Sequence, residues 1–150
     1  QPSDLSDPVG SLLNPGDATN PPLVASPLQM ALAAAVLSNQ GIRPAPLLVM
    51  AVDTPQSGWV MLPSSSAPEE VFTAETTRAT ANQLADTALP IWQTSACVAY
   101  SASDGVCWYL GGTLDTWAGA PLAVAVLLEE LNPALVTTIG HDLLESALTP

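Results

Sequence analysis

No lysine occurs anywhere in the 150-residue chain, and its only basic side chains, Arg43 and Arg78, stand against 14 acidic ones for a formal net charge of −12. A polyanion is bound by neutralising its phosphates, so two cations argue against nucleic acid and against anionic lipid surfaces as partners. Schiff-base chemistry, a phosphate-cradling P-loop and a serine–lysine nucleophile pair all need the missing amine. Histidine is equally scarce: His141 stands alone, so any Ser-His or Cys-His catalysis must use it, and without clustered partners no metal site is expected. It falls within a helical pattern beside Gly140, where packing is its ordinary role. No cofactor is implied. The longest apolar runs, residues 30–37 and 122–128, fall well short of the roughly 18 residues of a spanning helix. Charged residues make up 11% of the chain against about 25% in an ordinary domain. So thinly charged a surface is expected to be covered, by a second copy or by the rest of a larger assembly.

What the chain does contain is apolar side chains, at 48%, enough to bury a core. It begins at Gln1 without a basic or apolar leader pattern, as a processed product or a segment of something longer would. Five prolines and two glycines break all periodicity in residues 1–25, which are expected to form an extended arm. Ser26 and Gln29 then fit a capping box, Pro27 suits a first helical position, and Gly41 supplies the stop. The helix between them is apolar nearly all round, as in an element buried on most sides. Arg43-Pro44-Ala45-Pro46 reads as a stiff linker. Residues 47–52 and 59–62 around the turn Asp53-Thr54-Pro55-Gln56-Ser57-Gly58 read as a hairpin. Residues 68–88 have helix formers, early acids and a proline stop at Pro90. Strands are expected over residues 91–100, 106–110 and 121–128, the first two flanking Ser103-Asp104-Gly105. Asn132 caps a last helix that starts at Pro133. Hairpins replace regular strand–helix alternation, so the expected class is α+β, an antiparallel five-stranded sheet flanked by helices.

Candidate sites are few. Glu129 with Glu130, or Asp104 with Asp115, could in principle share acid–base work. Adjacent acids at a strand end point to opposite faces, however, and Asp104 before Gly105 serves a turn. Trp92, Trp108 and Trp117 with Tyr100 and Tyr109 could wall a ligand, but large rings more commonly supply core or a dimer interface. Cys97 and Cys107 are out of register across a tight Asp104-Gly105 turn, which favours two buried thiols. A cross-strand disulfide requires a connection longer than two residues.

The stretch Ser26-Pro27-Leu28-Gln29-Met30-Ala31, running on to Asn39-Gln40-Gly41 and then Arg43-Pro44-Ala45-Pro46-Leu47, resembles the "(S/T)-P-L-Q-(M/L)-A … N-x-G … P" segment of penicillin-binding protein transpeptidase domains. Val106-Cys107-Trp108-Tyr109-Leu110-Gly111 is similar to that family's "W-F-(V/I)-G" strand, and residues 122–129, LAVAVLLE, to its "I-A-V-A-V-x-x-E". The resemblance implies that residues 26–150 are the C-terminal half of a transpeptidase-like domain, with a partial transpeptidase/serine β-lactamase-like fold. It requires the strand from Trp92 and the strand from Val106 to be antiparallel neighbours, with the first and last helices packed on their sheet. It also implies an extracytoplasmic setting in a bacterial cell envelope.

The family's chemistry is broken at each position that can be compared. The strand that would carry Lys-Thr-Gly-Thr reads Gln93-Thr94-Ser95-Ala96, which keeps the threonine but loses the ammonium that attracts a carboxylate. It also loses the glycine that lets substrate approach the backbone. Ser-x-x-Lys cannot exist without lysine, and Ser-x-Asn does not occur. The expectation is a catalytically inactive transpeptidase-like domain that binds or scaffolds in cell-wall biology, with Gln93, Thr94 and Ser95 as a degenerate substrate-binding strand. Its expected partners are a second copy, another envelope protein or a peptidoglycan stem peptide. Two alternatives stand beside it: a fragment of an authentic D,D-transpeptidase whose nucleophile lies upstream, and an unrelated acidic α+β interaction domain.

Overall fold

Ser26 opens the first helix as its sequence predicts. Its hydroxyl accepts from the Gln29 amide and the Gln29 side chain accepts from the Ser26 amide, so two otherwise orphaned N–H groups are satisfied at once. This computed structural model describes residues 25–46, 49–63, 67–101 and 104–149. The arm expected over residues 1–25 lies outside them save for its last residue. Helix α1 spans Pro27–Ser38. It stops through a Schellman motif: the Gly41 amide bonds to the Val36 carbonyl, with Gln40 left-handed at φ 54° and Gly41 at φ 90°. A side chain on Gly41 would run into the Phe72 carbonyl, which is why only glycine fits there.

The chain then forms β1 (Ile42–Arg43), the hairpin β2 (Ala51–Thr54) and β3 (Gly58–Met61), β4 (Glu69–Glu70), α2 (Ala74–Gln83), β5 (Ile91–Ala99), β6 (Gly105–Thr113), β7 (Ala123–Leu128) and α3 (Pro133–Leu148). The second helix is shorter than residues 68–88. Glu69 and Glu70 pair with β1, where Arg43 and Glu69 form an ion pair, and Thr73 caps the helix proper by accepting from the Thr76 amide.

The class is α+β, but the described strands do not lie in one five-stranded sheet. They form a three-stranded antiparallel sheet in the order β5-β6-β7 and two separate two-stranded pairs, β1-β4 and β2-β3. Among the described residues the hairpin β2-β3 touches no other helix or strand, and its large apolar side chains, among them Trp59 and Met61, are exposed. Strands β5 and β6 are antiparallel neighbours, α1 packs on β6 and β7, and α3 packs on all three strands.

The two helices cover opposite faces. On one, Ile91, Cys107 and Tyr109 pack against Val136 and Leu144 of α3. On the other, Trp92 packs with Ala34 of α1 and Ala81 of α2, and its indole N–H donates to Ser38 Oγ at 3.0 Å. Central β6 is therefore buried at alternate positions along most of its length. Gly140 of α3 sits directly on the Tyr109 ring, and a Cβ there would overlap it.

Candidate functional site

Strand β5 is an edge strand, and its alternation decides what each candidate residue can reach. Ile91 lies in the α3-side core and Trp92 in the α1-side core, so Gln93 and Ser95 share the α3 face while Thr94 turns to the other. The three candidates are thus adjacent in sequence but split between faces.

Both ends of the Gln93 side-chain amide are engaged. Its amide donates to Asp86 Oδ2 at 2.8 Å, and its carbonyl oxygen accepts from the Tyr109 hydroxyl at 3.1 Å. Asp86 is the residue that sequence reasoning missed. Its Oδ1 accepts from the backbone N–H groups of Ala88 and Leu89 at 2.7 and 3.2 Å. Those two bonds, helped by Gln93 and the charge of His141 and opposed by burial, hold its carboxyl below the usual carboxylate range. An aspartate that bonds to amides two and three residues on is an Asx-type turn, and Asp86-Thr87-Ala88 was the available signal. Burial, together with the charge of Asp86, pushes the Tyr109 phenol up to about 12, so it stays protonated and acts as a donor.

The hydrogen-bond partner of the Ser95 side chain among the described residues is another hydroxyl. Thr137 Oγ1 lies 3.2 Å from Ser95 Oγ and donates to the Pro133 carbonyl at 2.8 Å. A threonine hydroxyl is not a base that takes a serine's proton.

The outer edge of β5 is half closed. The Gln93 amide bonds to the Leu84 carbonyl and the Asp86 amide to the Ile91 carbonyl, with Ala85 bridged to Trp92, so residues 84–86 lie along the beginning of the strand. Beyond Gln93, residues 94–99 are exposed. In an antiparallel strand successive residues direct their backbone groups to alternate sides. Gln93 points outward, and so do the N–H and C=O groups of Ser95, Cys97 and Ala99. Among the described residues none of these groups has a backbone partner, so they form an open donor–acceptor row.

Cys97 lies opposite Cys107, and the two are joined in a disulfide with Cα atoms 4.0 Å apart. This corrects the reading of two buried thiols. Ala99 pairs with Gly105, so residues 100–104 form the connection, and a loop of that length restores the register that a two-residue turn would forbid. Tyr100 and Ser101 N–H groups bond to the Asp104 carbonyl to close it.

The remaining candidates do not assemble. Asp104 and Asp115 sit at opposite ends of β6, and Asp104 is tied to Ser101. Glu129 and Glu130 are exposed past the end of β7. Trp92 and Tyr109 are buried on opposite faces, while Tyr100 is 71% exposed, so these rings share no wall. Among the described residues no group of three or more His, Cys, Asp and Glu side chains converges as a metal site. A cavity of about 100 Å³ lies between α1 and α2, lined by Thr77, Arg78, Asn82 and Asp115, away from Gln93 and Ser95.

No family model matches the chain, and no curated protein sequence matches it significantly. Solved structures do. The crystal structure of PBPA from Mycobacterium tuberculosis superposes with a TM-score of 0.67 at 22% identity, over 87% of this chain and 34% of that one. Penicillin-binding protein A from the same organism, captured as its imipenem acyl-enzyme complex, gives 0.67 at 24% identity, over 87% of this chain and 32% of that one. The fold is penicillin-binding-protein-like. The chain spans about a third of the length of these neighbours. Identities this low establish a shared fold and nothing about shared chemistry. Among the described residues no helix is long and apolar enough to cross a membrane.

Proposed function

We propose that this chain is a non-acylating transpeptidase-like module of the bacterial cell envelope, which holds an extended peptide along the open edge of β5. The observation that carries the reading is the state of the strand resembling the Lys-Thr-Gly strand. Gln93 stands where the ammonium would be, with both ends of its amide bonded to Asp86 and Tyr109. The Ser95 hydroxyl is paired with the Thr137 hydroxyl. Meanwhile the outward backbone of Ser95, Cys97 and Ala99, without a partner among the described residues, offers what β-strand addition needs, donors and acceptors in a row flanked by short side chains. The ligand class is a peptidoglycan stem peptide or the extended tail of another envelope protein. A second copy of the chain could use the same edge. The disulfide supports an oxidising, extracytoplasmic setting.

The short coverage of the neighbours favours a second reading, in which these residues are part of an authentic D,D-transpeptidase whose nucleophile lies in sequence outside them. A labelled β-lactam applied to the complete gene product separates the two. The module reading expects no covalent label on folded protein; a retained label, mapped to a serine, overturns it. Titration with stem peptide, followed by backbone amide shifts in β5, tests the edge itself.

A further inference from the structure

Cys97 occupies the middle of the free stretch of β5, and its two sulfur neighbourhoods are unequal. Cys97 belongs to an exposed edge residue run, whereas Cys107 is 0% exposed on the central strand, packed with Tyr109 and Val136 beneath α3. An approaching thiol meets the bond from the Cys97 side. The bond also joins two residues that are directly opposite, at a pair that exchanges no backbone hydrogen bonds, while Thr94, Ala96 and Val98 direct theirs to β6. The cross-link therefore fixes the register of the same residues whose other side is unpaired. Apart from its ladder to β6, this end of β5 is open: residues 94–99 are exposed, and among the described residues no strand lies along its outer side.

We propose that Cys97–Cys107 is an exchangeable disulfide, opened by an external dithiol oxidoreductase that attacks Cys97, and that its opening loosens the β5 edge. The regulatory half of this inference rests on the peptide-binding reading above. The exchange chemistry stands apart from it. The thiolate of the dithiol forms a bond to Cys97 Sγ as the Cys97–Cys107 bond breaks, and the electron pair leaves on Cys107 Sγ, which takes up a proton. The second thiol of the dithiol then attacks its own sulfur in the mixed disulfide and releases Cys97 as a thiol. The protein gains two electrons and two protons, and the dithiol becomes a disulfide. Attack in the opposite sense would require the reagent to enter the core between β6 and α3.

The test uses the oxidised chain and a dithiol oxidoreductase lacking its second thiol, which traps the mixed disulfide for peptide mapping. The expected adduct is on Cys97. An adduct on Cys107, or reduction no faster than global unfolding, overturns the proposal. Amide hydrogen exchange on oxidised and reduced chains supplies the second arm: Ala96, Val98, Val106 and Trp108 are expected to exchange about tenfold faster or more after reduction, with α3 unchanged. Equal protection in the two states overturns the loosening. Stem-peptide titration of both states separates the two readings. Tighter binding when oxidised supports the coupling, and equal binding in both states overturns it. Absence of binding in both, with the exchange difference intact, removes the peptide-binding reading and the coupling built on it while leaving the disulfide exchange established.

Discussion

Gln93 shows what a neutral amide does on the edge of a sheet. A neutral amide can accept and donate at once, which an ammonium cannot, and here it bridges a carboxylate and a phenol. The consequence for Tyr109 is measurable. The unfolded chain releases this phenol proton near the ordinary value of 10.0, whereas the folded chain keeps it to about 12. Across that interval the folded state binds the extra proton, so stability falls as pH rises. Urea melts at stepped alkaline pH are expected to show this fall, and Tyr109→Phe to flatten it. Gly140 is the second residue with a single physical reason for its identity. Because a Cβ there overlaps the Tyr109 ring, Gly140→Ala is expected to cost about 1–3 kcal/mol through overpacking. The check is a thermal melt, with Tm lowered by several degrees; an unchanged Tm contradicts the close packing of α3 on β6.

At the scale of elements, the outward row on β5 makes a sharp prediction. The Ser95 N–H faces away from β6, so proline at that position removes a donor from the open edge without breaking the ladder. Ser95→Pro is expected to leave β5-β6 pairing intact, with stability changed by about 1 kcal/mol or less, and to abolish stem-peptide binding. Retained binding would place the peptide elsewhere. The elements differ in how legible they were in the sequence. The ends of α1 and α3 were written in local chemistry, Ser26 with Gln29 and Asn132 with Pro133, and the structure uses those groups as caps. The segment over residues 68–88 was not, because the acids that suit a first helical turn also suit β4, whose Glu69 pairs with a distant Arg43. The connection after β5 is hard to read for a similar reason. Asp104-Gly105 has the composition of a tight turn, but the ladder places Gly105 inside β6 opposite Ala99, and that long-range register joins the two cysteines. Gln93, Thr94 and Ser95 could be named as candidates from sequence. Their division between faces, and the role of Asp86, needed the sheet.

For the whole molecule, the decisive quantities are its charge and its share of the larger fold. With 14 acids, two arginines and no lysine, the chain cannot supply the amine that a serine–lysine pair needs, and the strand resembling the Lys-Thr-Gly strand is bonded into the structure through Gln93. The fold it shares with penicillin-binding protein A covers about a third of that protein's length, so what flanks these residues matters to the outcome. Removing a nucleophile's general base costs several powers of ten in rate, a difference that covalent labelling reads directly. The measurement is the intact mass of the complete, folded, disulfide-bonded gene product after exposure to a β-lactam. The account predicts an unchanged mass; a retained adduct on any serine would contradict it.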